Sequence, residues 1–106
     1  MKHIITLGAF SISLFSSGLF AADAAQLELG KTLFNSGAQP IACSVCHTLE
    51  DAGATGAIGP NLDELQPDAD RIRKTMMEGM GAMPSFADMA ENDREAIVSY
   101  IVEVTN

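Results

Sequence analysis

Two thiols and an imidazole stand close together in the run Cys43-Ser44-Val45-Cys46-His47. Thiols three positions apart share one helical turn, so both can add across vinyl groups on the same edge of a porphyrin. An imidazole directly after the second thiol then falls beneath the iron. This spacing is that of covalent c-type haem attachment, one haem per motif. Other uses of the same residues fail on specific counts. A redox dithiol of C-x-x-C type belongs with a βαβ pattern, which this sequence lacks. A structural zinc site needs four N or S ligands, and beyond Cys43, Cys46 and His47 the sequence offers only His3, in an N-terminal segment expected to be removed. A disulfide between Cys43 and Cys46 would close too short a loop to stabilise much, and it gives His47 no role.

If one ring nitrogen of His47 binds iron, the other N–H needs an acceptor that fixes tautomer and ring plane. Gly59-Pro60-Asn61-Leu62 is the place to look, although from the residues alone Gly-Pro also reads as a simple turn. The opposite haem face needs a sixth ligand, and Met76, Met77, Met80, Met83 and Met89 are all neutral candidates. Met76 and Met77 fall in a helical stretch. Met80 and Met83 fall in a glycine-containing loop, where backbone can approach a flat cofactor closely. Pro84 holds Met83 extended and removes a competing N–H donor, which singles out Met83 as axial ligand, with Met80 in reserve.

The elements that position these groups read as helices and loops. Leu27, Leu29, Leu33 and Phe34 recur at loosely helical spacing, predicting a first helix over 26–35 that closes at Ser36-Gly37. Residues 38–65 carry neither period and read as loop, with a helical turn after Cys43. Pro67-Asp68 opens a second helix that stops at Gly79. Asn92 and Glu95 form a capping-box pattern ahead of a last helix whose apolar face is Ile97, Tyr100, Ile101 and Val104. No alternating strand pattern occurs. The expected class is all-α: three to four short helices with long loops wrapped around one covalent haem, since loops of this length in a small domain need a surface to pack on.

Lys2 and His3 precede an apolar stretch, Ile4 to Phe20, and Ala22-Asp23-Ala24 places small residues where a signal peptidase reads. Residues 1–24 are therefore expected to be a cleaved secretory signal, residues 25–106 one domain, and the location periplasmic. A domain of that length buries only about 60% of its unfolded surface and needs a staple such as a cofactor. The chain has fourteen acidic residues against six Lys and Arg, for a net charge of −8. That balance sets aside nucleic acid and anionic lipid as partners and would steer encounters with a basic protein face. Membrane attachment is expected only if the signal stays uncleaved.

The order Cys43-Ser44-Val45-Cys46-His47, Gly59-Pro60-Asn61-Leu62, Gly81-Ala82-Met83-Pro84 with Phe86, and a last helix bearing Tyr100 resembles the class I cytochromes c. The resemblance spans residues 25–106. It implies that His47 and Met83 are the axial ligands, that the Pro60 carbonyl accepts the His47 ring N–H, and that Gly30, Phe34 and Tyr100 form the crossing of first and last helices. The sequence lacks the long middle loops and basic face of the mitochondrial members. Its Cys46 to Pro60 loop looks more like small bacterial periplasmic members, some of which are electron-accepting subunits of dehydrogenases such as sulfite dehydrogenases. The expected function is one-electron transfer between redox proteins, by a monomer or as a fixed dehydrogenase subunit, and not catalysis. An open iron site for a gas ligand or peroxide is the competing class.

Overall fold

The computed structural model describes Gly8 and residues 23–106. Apart from Gly8, Asp23 and Ala24, the expected signal segment lies outside the described residues. Helix α1 spans Ala24–Thr32 and runs straight into a π-type turn, Leu33–Gly37. Its start is fixed by Asp23, whose carboxylate accepts the Gln26 N–H at 2.7 Å, satisfying one of the donors that the first helical turn leaves free. Two short helices follow in the middle of the chain, α2 at Leu62–Leu65 and α3 at Ala69–Glu78, before the long final helix α4 at Glu91–Thr105.

Helices α1 and α4 cross at Gly30. A Cβ there would lie 2.2 Å from the Ala96 carbonyl oxygen and 2.6 Å from the Tyr100 Cβ, so the two backbones approach only because residue 30 has no side chain. One turn on, the fully buried Phe34 ring meets the Tyr100 ring edge-on, with centroids 6.2 Å apart and planes at 62°, a favoured aromatic geometry. The Tyr100 hydroxyl donates to Asp51 at 2.6 Å. Burial first, and then the bond to Asp51, push the phenol well above its ordinary range.

Asp68 caps α3 by accepting the Arg71 N–H at 2.8 Å, and Gly79 ends it at φ +74°, as the sequence predicts. Three local features differ from the sequence reading. Helix α4 begins at Glu91 behind Ala90, with no side-chain cap. Asn92 therefore lies inside the first turn, and Glu95 reaches sideways to the Arg73 guanidinium at 2.8–2.9 Å instead of closing a capping box. Arg94 secures this end by donating to the carbonyls of Ala87, at 3.1 Å, and Met89. The buried surface of α4 is also wider than one stripe: Val98 is 1% exposed and Ala96 is buried, while Val104 is only half-buried.

The third difference is in the stretch 38–65. It holds α2, capped by Asn61 through the Asp63 and Glu64 N–H groups, and a two-strand antiparallel pair. Strands β1, Thr48–Leu49, and β2, Ala54–Thr55, pair Thr48 with Thr55 and Leu49 with Ala54. A 3₁₀ turn ending at Gly53 (φ +66°) reverses the chain between them. Two residues per strand are too few for an alternating pattern to register. The architecture is otherwise helical, with Phe34, Leu49, Ile97 and Val98 at its centre.

Candidate functional site

The cysteine pair lies on a 3₁₀ turn, Cys43–Val45, whose first carbonyl accepts both the Cys46 N–H at 3.1 Å and the His47 N–H at 2.9 Å. Ser44 fastens this turn to the end of the α1 region by donating to the Asn35 carbonyl at 3.0 Å. The Gly59 N–H donates to the Cys46 carbonyl at 2.7 Å, which draws the Gly59-Pro60 segment against the motif. The His47 ring then lies 2.7 Å, Nδ1 to O, from the Pro60 carbonyl. A carbonyl can only accept, so Nδ1 carries the proton, and Nε2 of the neutral ring keeps its lone pair.

Two glycines permit this closeness. A Cβ at residue 59 would stand 2.6 Å from His47 Cε1, and one at residue 56 would stand 2.7 Å from the His47 backbone nitrogen. Gly56 does not stand out in the sequence, and Gly59 is visible there only as part of the Gly59-Pro60-Asn61-Leu62 segment. The close approach of backbone to an aromatic ring is what requires glycine there.

Across the fold, Met80-Gly81-Ala82-Met83 forms a tight turn. The Met80 N–H donates to the Met83 carbonyl at 3.0 Å and the Met83 N–H returns the bond at 2.9 Å, with Gly81 at φ +55°. The turn is moored to α3 on its far side. Phe86 N–H donates to the Met76 carbonyl at 2.6 Å, and Ser85 Oγ to the Met77 carbonyl at 2.7 Å. Met83 is half-buried against the core, whereas Met80 is 71% exposed.

Cys43, Cys46, His47, Pro60, Met80 and Met83 all line one cavity of about 260 Å³. Its walls are otherwise almost wholly apolar: Phe34, Leu62 and Leu65 of the α1 and α2 regions, Ile72 and Met76 of α3, Phe86, and Ile97 and Ile101 of α4. Both thiols are free. Burial pushes the Cys43 thiol up to about 11, against the opposing pull of a hydrogen bond to its own backbone. A metal-binding or redox dithiol needs ready thiolates and lowered values, and among the described residues no set of three His, Cys, Asp or Glu side chains could hold a metal ion. Two thiols, an imidazole with a free Nε2 and a thioether, all lining one apolar cavity, are a donor set that fits haem.

A family model described as cytochrome c oxidase, cbb3-type, subunit III matches residues 25–101, from α1 into α4. The chain belongs to the class I cytochromes c. This cytochrome is similar to the cytochrome c-551 of Halorhodospira halochloris, at 34% identity over 71 residues, covering 64% of this chain and 89% of that one. Among solved structures it is similar to the c-type cytochrome SorU of Sinorhizobium meliloti, at 40% identity with a TM-score of 0.73, covering 78% of this chain and 94% of the other. The cytochrome carries covalent haem c, and Cys43 and Cys46 fit its attachment. Haem bound here supplies a one-electron Fe(III)/Fe(II) couple. Cys43, Cys46, His47 and Met83 would hold it, and the apolar cavity residues would pack against its faces.

Proposed function

We propose that this cytochrome is an exported, diffusible one-electron carrier with a closed iron site, in which His47 Nε2 and the Met83 sulfur occupy the two axial positions. The observation that carries this reading is the short His47 Nδ1–H to Pro60 bond. It fixes the tautomer that offers Nε2 to a metal, on a cavity whose other walls bring a half-buried thioether. An axial bond from Met raises the potential relative to a second His, and two filled positions leave no site for a substrate. Pro60 serves as the acceptor that orients the imidazole.

The cavity mouth supports transfer to a protein. Ile58, 70% exposed, stands with Ile41 and Met80 on the lining, and none of the chain's carboxylates lines the cavity. Weak redox encounters bury less than about 1,200 Å², and a small apolar frame around a cofactor edge suits such contact. The acidic body favours a donor or acceptor with a basic docking face. Periplasmic export rests on the N-terminal pattern; among the described residues no helix is long and apolar enough to cross a membrane.

Carbon monoxide tests the closed site. The reduced protein should leave its spectrum unchanged under CO, and the oxidised protein should show the weak far-red band of Met–Fe(III). Stoichiometric CO binding by the native reduced protein would replace this reading with an open-site one.

A further inference from the structure

Arg94 stands where a helix does not favour it. It lies in the opening turn of α4, which begins at Glu91, and a cation there is set against the positive end of the helix dipole. Elsewhere the basic side chains take carboxylates: Arg73 pairs with Asp70 and Glu95, and Lys31 with Asp51. Among the described residues Arg94 forms no ion pair, although Asp93 and Glu95 flank it in the chain. Its Nη1 donates instead to the carbonyls of Phe86 at 3.5 Å, Ala87 at 3.1 Å, and Met89. One guanidinium thus gathers the carbonyls of the segment 86–89.

That segment is the return leg of the loop that carries Met83. Residues 84–90 form neither helix nor strand, so bonds other than those of a helix or sheet must hold them. The outgoing leg is fixed to α3, through Ser85 Oγ to the Met77 carbonyl at 2.7 Å and the Phe86 N–H to the Met76 carbonyl at 2.6 Å. The return leg has local bonds, Met89 N–H to the Phe86 carbonyl at 3.1 Å and Ala87 N–H to Ser85 Oγ at 3.1 Å, and beyond these it has Arg94. Phe86 is therefore tied through its N–H to α3 and through its carbonyl to Met89 and α4. It is 3% exposed, it is part of the cavity wall, and only Pro84 and Ser85 separate it from Met83. The fixed φ of Pro84 leaves little slack between the two.

On the reading of Met83 as axial ligand, the geometry points to Arg94 as a positioning residue for that ligand. Its guanidinium pins the return leg of the loop, keeps the Met83 sulfur on the iron, and sets how readily the closed site opens to an outside ligand. Arg94 is not on the cavity, so it acts through the carbonyls of Phe86, Ala87 and Met89. Hydrogen bonds from a guanidinium are stronger than those between neutral groups. Their loss frees one loop locally, at a lower free energy than opening the whole fold.

The test uses the oxidised, haem-loaded protein and compares two signals on one sample as denaturant rises: the far-red band of Met–Fe(III) and the far-ultraviolet circular dichroism of the helices. It also follows the rate at which added imidazole displaces Met83, read as loss of the band. In Arg94→Leu the band should disappear at a lower denaturant concentration than in the native protein, while the helix signal shifts much less. Imidazole displacement should quicken about tenfold, the equivalent of one hydrogen bond to a charged group. Arg94→Lys should recover most of the native behaviour. Arg73→Leu, which cuts the α3–α4 tie to Glu95 away from the Met83 loop, should lower both signals together and leave the imidazole rate near native. If Arg94 only secures the start of α4, Arg94→Leu will lower both signals together with an unchanged imidazole rate, and that result overturns the proposal, as does the same loosening in Arg73→Leu. Should Arg94→Leu fail to fold, Arg94→Gln decides on the same two readouts. A native protein with covalent haem but no far-red band overturns the Met83 reading and this proposal with it, whereas a native band that Arg94→Leu leaves unloosened overturns this proposal alone.

Discussion

At the scale of single residues, the site depends on positions where a side chain is absent as much as on those where one is present. Gly59 leaves room for the His47 ring, and a methyl group there would overlap Cε1 at 2.6 Å. Gly59→Ala should therefore displace the imidazole, costing about 2 kcal/mol and altering the haem spectrum; calorimetry and absorbance would check it. Tyr100 makes a pH-dependent contribution whose sign follows from its raised pKa. A phenol with a folded value above its unfolded value of about 10 contributes stability that is complete below pH 10 and is lost as pH rises beyond it. Tyr100→Phe should weaken the fold modestly at neutral pH, by about 1 kcal/mol for the lost bond to Asp51, and should flatten the alkaline limb of stability against pH in chemical denaturation. Cys43, Cys46 and His47 were legible in the sequence because their chemistry is written in one unbroken run. Gly56 was not, since its role depends on the His47 backbone that the fold places against it.

At the scale of elements, the crossing of α1 and α4 sets the frame. Gly30→Ala forces a methyl group into the Ala96 carbonyl and the Tyr100 Cβ, neither of which is the free end of a flexible side chain. It should cost about 3 kcal/mol, read as a lower melting temperature. The longer helices announced themselves through period and caps: Asp68 and Gly79 bound α3 where the sequence puts them. The capping box at Asn92 failed because tertiary contacts outbid it. Glu95 has a guanidinium within reach, and Arg94 ties down the preceding carbonyls, so α4 starts two residues earlier without a side-chain cap. The β1–β2 pair and α2 were invisible for a different reason. Four-residue and two-residue elements carry too little periodicity to read, and here they exist because the attachment turn and the Gly53 reversal bring them together.

At the scale of the whole molecule, an acidic body surrounds an apolar chamber that is completed by its cofactor. The cavity of about 260 Å³ is walled by Phe34, Leu62, Ile72, Ile97 and Ile101, apolar surface that a planar cofactor would cover. The cofactor is therefore part of the core as well as the redox centre. Net charge of −8 governs encounter. Oxidation by a small cationic complex should slow as ionic strength rises, and oxidation by an anionic one should quicken, because salt screens attraction in the first case and repulsion in the second; stopped-flow rates at two salt concentrations would show it. The central claim is that Met83, opposite His47, closes the iron site. Its most direct test is the far-red band of the oxidised protein in Met83→Ala and Met80→Ala. Loss of the band in Met83→Ala with covalent haem retained, and its survival in Met80→Ala, is the predicted result. Survival in Met83→Ala and loss in Met80→Ala would contradict the account.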